Sequence, residues 1–205
     1  MVKVEKVIVG AIETNCYIVW KEDKSSAVVI DPGADAGVII RVLNKYRLSP
    51  EAVLLTHGHG DHIGACNELG LDVYVHKGDL DFLSNPELNL SASVFLPVTV
   101  NQTVHPFKEE EELRFEKSGL VFKVIPTPGH TPGGCCFLIE NFLFAGDTLF
   151  RESVGRTDLP ASSFDGLINF IKEKILVLPD EVIVYPGHGE STTIGKEKKS
   201  NPFLS

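Results

Sequence analysis

The 205-residue chain has no apolar run approaching the roughly 20 residues that cross a bilayer. No membrane span is expected. Residues Met1 to Gly10 alternate apolar and charged side chains. They lack the apolar core and small-residue cleavage site of a signal peptide, so a cytoplasmic location is the expectation. Basic residues are few beside acidic ones, 19 against 28, for a net charge of −9. Nucleic acids and anionic membranes call for a basic face, so neither is an expected partner, although a local basic pocket remains compatible. Cysteine is scarce too: Cys16, Cys66, Cys135 and Cys136 form no C-x-x-C pair. Adjacent Cys135 and Cys136 would point to opposite faces of a strand. Buried thiols in a reducing compartment fit this pattern better than a disulfide or a zinc knuckle. Low-complexity segments and short repeats are also absent.

What is present reads as an ordinary globular chain, 43% hydrophobic and 23% charged. That length buries a core without staples, and one domain over 1–205 is expected. Val2 to Val9 and part of Asn15 to Trp20 alternate with a period of two, and Ala27 to Ile30 is a short apolar run stopped by Asp31-Pro32-Gly33. These read as successive strands. Val38 to Tyr46 has helical spacing. Ala52 to Leu55 is a strand running into a histidine cluster. A helix is expected from Asp61 or His62 to about Leu69, stopped by Gly70. Asp72 to Val75 reads as a strand and Gly78 to Leu83 as a short helix. Asn85 to Phe107 is irregular and could flank a site.

In the second half, Glu112 to Glu116, Leu120 to Ile125, Cys135 to Ile139, Phe142 to Phe144 and Val182 to Tyr185 read as strands. Ser163 to Leu176 carries one apolar stripe and reads as a helix capped by Ser162 or Ser163. The acidic run Glu109 to Glu112 reads as a solvated turn. Interleaved strands and helices in both halves predict an α/β fold, with sheets between helix layers.

Five of the seven histidines fall in Gly- and Pro-rich segments just after expected strands. His57, His59 and His62 share His57-Gly58-His59-Gly60-Asp61-His62. His130 ends Pro126-Thr127-Pro128-Gly129-His130, and His188 lies in Tyr185-Pro186-Gly187-His188-Gly189. Asp147 follows Phe144-Ala145-Gly146. Strand ends can bring such side chains to one edge of a sheet. Imidazole and carboxylate are donors for zinc, iron or manganese, and the glycines let alternate side chains converge. Seven donors are too many for one ion. They suit two ions sharing a carboxylate and a water, about 3.5–4 Å apart. His76 and His105 lack this context and read as ordinary residues.

These residues resemble the metallo-β-lactamase superfamily. The likeness runs in order through Val28 to Gly33, Thr56 to His62, Pro128 to Gly134, Gly146 to Phe150 and Tyr185 to Gly189. It implies an αββα sandwich of two mixed β-sheets flanked by helices, with metals at one sheet edge. It also implies that His57, His59 and His130 hold one ion, that Asp61, His62 and His188 hold a second, and that Asp147 bridges. Asp31 would buttress the site without binding metal.

Within the superfamily, Gly146 to Pro160 and Pro186 to Phe203 look like glyoxalase II-like (hydroxyacylglutathione hydrolase-like) enzymes of the short bacterial type. Glyoxalase II hydrolyses S-lactoylglutathione. Full-length glyoxalase II continues past the Asn-Pro-Phe segment into a helical region that helps bind glutathione, whereas this chain ends at Ser205. It also has a lysine and a tyrosine near where Arg156 and Asp158 fall. Arg156 is the candidate substrate-binding residue, its planar fork suited to a carboxylate. Asp158 cannot replace a tyrosine hydroxyl.

The resemblance implies a dinuclear metallohydrolase acting on a small thioester or ester, with two divalent ions, zinc first and iron or manganese next. A metal-bridging hydroxide would attack the carbonyl, oriented by Asp61 and Asp147. The rival readings are a mononuclear iron persulfide dioxygenase of the same superfamily, using His57, His130 and Asp147; a lactonase, β-lactamase or other ester hydrolase; and a non-catalytic metal-binding module.

Overall fold

In the computed structural model, residues 1–94, 96–108 and 111–204 are described. Residues 109 and 110 of the acidic run, and residue 95 of the irregular segment, lie outside them. The first half of the chain forms a six-stranded sheet in the order β1 to β6. Its strands are β1 (Val2–Val9), β2 (Thr14–Lys21), β3 (Ser26–Ile30), β4 (Ser49–Leu54), β5 (Val73–His76) and β6 (Val104–Phe107). β1 to β3 are antiparallel neighbours, and β3 to β6 run parallel. The parallel part needs crossovers, and helix α1 (Ala36–Tyr46) supplies one of them.

The second sheet, also six-stranded, has the order β14-β13-β10-β9-β8-β7. It contains β7 (Glu112–Phe115), β8 (Leu120–Pro126), β9 (Cys135–Ile139), β10 (Phe142–Gly146), β13 (Ile183–Pro186) and β14 (Thr192–Thr193). A small hairpin, β11 (Leu149–Phe150) with β12 (Ser153–Val154), stands beside it.

Alternation along each strand builds three layers of core. Val28, Ile30, Ala52 and Leu54 face Phe122, Val124, Phe137 and Phe144 between the sheets. Val29 and Val9 turn outward onto Ile39 and Leu43 of α1. Val53, Leu55 and Val73 meet Ile63 and Cys66, which belong to α2 (Gly60–Ile63) and α3 (Cys66–Leu69). On the far side, Ile125, Leu143 and Val184 pack on Leu167, Ile171 and Ile175. The adjacent cysteines divide as alternation requires, Cys135 between the sheets and Cys136 under the outer helix. This is the expected αββα sandwich of mixed sheets.

Three local readings need correction. The helix expected from Asp61 to Leu69 is two short pieces. A Cβ at Gly64 would sit 2.1 Å from the Gly33 carbonyl oxygen, and Ala65 N donates to Pro32 O (2.9 Å). That docking against the β3 turn interrupts the helix. The irregular 85–107 segment holds α4 (Ser91–Val94) as well as β6. The Ser163–Leu176 helix is α5 (Phe164–Phe170) continued by one wider π turn, Ile171–Ile175, with Ser163 as its cap. A further helix, α6 (Ile194–Ser200), follows β14. No helix among the described residues is long and apolar enough to cross a membrane.

Candidate metal centre

Four strand ends deliver the donors to one place. His57 and His59 leave the end of β4, and Asp61 and His62 ride on α2. His130 lies in the turn after β8, Asp147 directly after β10 and His188 directly after β13. Their donor atoms fall into three groups: His57/His59/His130, His57/His62/Asp147 and Asp61/His62/His188. Within each group the atoms lie within 4.8 Å of one another. The outer groups coincide with the two triads that the resemblance implies, and Asp147 lies between them. Asp147 Oδ1 is 3.4 Å from His62 Nε2, and its Oδ2 is 3.6 Å from His130 Nε2 and 3.7 Å from His188 Nε2.

The imidazoles are aimed by what stands behind them. His130 Nδ1 donates to Arg156 O (2.8 Å) and His188 Nδ1 to Ile12 O (3.1 Å). Carbonyls only accept, so each Nδ1 carries a proton, and each Nε2, turned inward, is the atom left to offer a metal its unshared pair. Thr56 Oγ1 donates to Asp31 Oδ2 (2.6 Å), which leaves its oxygen to accept from His57 Nδ1 (3.2 Å). Asp31 also accepts from Thr56 N (2.8 Å) and stands 3.0 Å from His62 Nδ1. Asp31 therefore lies behind the donors. His57 Nε2 and Asp147 Oδ1 are buried inside this cage without a hydrogen-bond partner. Buried orphan lone pairs are costly, and a cation among them removes the cost. The donor set fits divalent metal.

The charges sort the two sides of the site. Burial, followed by neighbouring imidazoles, holds His57 far below the ordinary histidine range and His59 at about 3. Burial also disfavours a charge on His62, but Asp61, Asp31 and Asp147 surround it and push its pKa well up. Asp61 and Asp147 are lowered, because His62 and its companions outweigh their desolvation.

Sequence reasoning missed two buried carboxylates. Asp79 accepts from Gly58 N (2.9 Å), Thr131 Oγ1 (2.7 Å) and Gly133 N (2.6 Å). It ties the His57–His59 loop to the His130 loop. Glu197 accepts from Thr192 Oγ1 (2.5 Å), Glu152 N (2.8 Å) and Asn201 Nδ2 (2.9 Å). That knot gives the Thr192–Thr193 and Asn201 segments a job: they hold the β11–β12 hairpin. His76 and His105 stay outside the centre. His76 Nδ1 accepts from Gly78 N, and His105 faces Asp72 at 2.9 Å.

A cavity of about 550 Å³ opens over His59, Asp61, His130, Asp147 and His188. Arg156 lines it, with its side chain 64% exposed. The arginine meets a carboxylate of its own chain: Nε and Nη2 donate to the two oxygens of Asp158, both at 2.8 Å. Leu90 and Val94 place the 85–107 segment against the same cavity.

The chain is similar to known proteins in both sequence and fold. The family model of the metallo-beta-lactamase superfamily matches residues 9–188. Hydroxyacylglutathione hydrolase GloC of Haemophilus influenzae is 37% identical, over 98% of both chains. Among solved structures, the BLEG-1 B3 metallo-beta-lactamase superposes with a TM-score of 0.92 at 39% identity, covering 99% of this chain and all of that one. TTHA1623 in a di-iron-bound form superposes at 0.88 and 37%, covering 98% and 100%.

Proposed function

The chain belongs to the metallo-β-lactamase superfamily, and from that membership we propose that it is a dinuclear hydrolase of small thioesters, S-lactoylglutathione being the first to assay. The observation that carries the reading is the convergence of seven donors from four strand ends on one place, with His59, Asp61, His130, Asp147 and His188 lining one cavity and His57 and His62 buried beside them. His57, His59 and His130 would hold one ion and Asp61, His62 and His188 the second, with Asp147 between. Zinc is the proposed resident, and iron or manganese suit the same donors. When bound, such ions polarise a carbonyl and make a water acidic enough to deprotonate near neutrality.

The chain's own groups do the rest. Asp61 and Asp147 would accept hydrogen bonds from such a water and fix its direction. The carbonyls of Ile12 and Arg156 keep His188 and His130 in the tautomer that points Nε2 inward. In the net reaction, water oxygen bonds to the thioester carbon and the C–S bond breaks. One water proton goes to the departing sulfur or to solvent, and no electron transfer is involved. A thiolate leaves readily, so no acid from the protein is required.

The GloC relative supports the thioester class, and the BLEG-1 likeness makes a β-lactam amide the second substrate to try. The test is a panel of thioesters, lactones and a chromogenic β-lactam, assayed with metal content before and after chelation. Thioester turnover that disappears with the metal and returns on reloading is the expected result. Undiminished turnover by metal-free protein defeats the metal role, and a panel in which only the β-lactam is cleaved moves the assignment to the second substrate.

A further inference from the structure

The larger cavity has a chemical character that the donor set does not dictate. Above its polar floor, the walls are mainly Ile12, Leu90, Val94, Phe150, Val154 and Leu159, with Asn89 and Ser153 as neutral polar members. Arg156 is the one lysine or arginine among the described lining residues, and its Nε and Nη2 already donate to the two oxygens of Asp158. A second cavity of about 450 Å³ shares Ile12 and Asp61 with the first. Its charged lining residues are Asp35, Asp61 and Glu68, and it has no lysine or arginine among those described. The whole chain is acidic, with a net charge of −9, which works against accumulation of anionic substrates. Away from the ions that the floor would hold, an arm with two carboxylates, such as glutathione's, therefore meets mainly apolar walls on one side and Asp35 and Glu68 on the other.

We infer that the thioester arm lodged in the larger cavity is an uncharged hydrocarbon chain, a medium-length acyl group, and not a glutathionyl group. This rests on the thioesterase reading above and narrows it. The reaction is unchanged: water adds to the acyl carbon, the C–S bond breaks, and a fatty acid and a thiol result. Apolar walls discriminate by area. Each methylene fully withdrawn from water is worth up to about fourfold in affinity for the reacting state. A charged arm gains nothing there and loses its hydration.

Two measurements on the metal-loaded full chain test this. The first compares kcat/KM for acetyl, butyryl, hexanoyl and octanoyl thioesters of N-acetylcysteamine, an uncharged thiol, with that for S-lactoylglutathione. The expected result is a rise of at least about tenfold from acetyl to octanoyl, with S-lactoylglutathione below the octanoyl ester. A flat series, or S-lactoylglutathione as the best substrate, overturns the inference and leaves the thioesterase reading standing.

The second measures binding without turnover, using non-hydrolysable alkyl ketone analogues of the same esters by calorimetry. Chain-length-dependent binding with no hydrolysis of any thioester supports the apolar cavity and defeats the thioesterase reading. Length-independent binding defeats the cavity assignment by itself. Asp158→Asn gives a further check, because it frees the Arg156 fork. The variant is expected to gain several-fold in kcat/KM for a carboxylate-bearing thioester such as succinyl-N-acetylcysteamine, and not for the octanoyl ester. An equal gain on both esters counts against a neutralised arginine.

Discussion

Asp79 takes hydrogen bonds from Gly58 N, Gly133 N and Thr131 Oγ1, so its two oxygens join the loop of His57 and His59 to the loop of His130. Burial raises its pKa, and the three donors offset only part of that rise. Asparagine has the same shape but offers an N–H where the carboxylate accepted one. Asp79→Asn therefore sets a donor against a donor in a buried place, at a cost of about 1–3 kcal/mol. A defect behind metal ligands commonly costs about 10–100-fold in metal affinity. The expected outcome is a loss of that size at the His57/His59/His130 group, with the Asp61/His62/His188 group much less affected. Competition with a chelator of known affinity reads it. Equal weakening of both groups would mean that Asp79 serves general stability and not the placement of one triad.

At the scale of elements, β10 and β13 run parallel, and their ends touch through a glycine. A Cβ on Gly187 would lie 2.1 Å from Asp147 Oδ1 and 2.8 Å from His62 Cε1. Gly187→Ala is expected to displace Asp147 and to lower kcat/KM by about 100-fold or more, the usual result of a misplacement near 1 Å. Steady-state kinetics alongside metal analysis checks this, and near-normal turnover would show that the strand ends yield without disturbing the site. The same glycines made this part of the site legible in the sequence. A strand, a glycine turn and an imidazole or carboxylate recur at β4, β8, β10 and β13, and local backbone rules are enough to read that pattern.

Asp79 was not legible, because it lies in the short 3₁₀ helix Lys77–Leu83 and its three partners come from distant loops. The break between α2 and α3 escaped for the same reason, being set by Gly64 lying against Gly33 O. The two-residue strands β11 and β12 are too short to show a period, and Glu197, which anchors them, looks in sequence like one charge among several on α6.

For the whole molecule, the donors come from both sheets: His57, His59, Asp61 and His62 from the first, and His130, Asp147 and His188 from the second. A bound ion therefore pins the edges of the two sheets together and stabilises the fold by mass action. With free metal at about 100 times its dissociation constant, the gain is about 2.7 kcal/mol. For a chain of this size that corresponds to about 5–10 °C in Tm. The pH dependence has a definite sign. In the stripped protein the pKa of His62 is raised by Asp61, Asp31 and Asp147, net of the opposing effect of burial. Its protonated form then stabilises the fold fully below the unfolded-state value of about 6.5, and that contribution fades as pH rises through the higher folded value. Asp61 and Asp147 are lowered, so their contribution changes only on the acid side, as pH falls below about 4.

Metal binding must expel the His62 proton and any that His188 holds, since both values are raised, so uptake at pH 7 is expected to release about one to two protons per chain, and affinity should climb with pH. Between about pH 6 and 8 the stripped protein thus loses the His62 contribution, offset near pH 6.5 by His57 and His59, whose lowered values act in the opposite sense, while the loaded protein holds its metal more tightly. The gap in Tm between the two should widen across that interval. Paired melting curves, with calorimetric titrations in buffers of different ionisation enthalpy, measure both quantities. A gap independent of pH, with no proton released, would mean that His62 is neutral before metal arrives and that the three carboxylates around it do not set its charge.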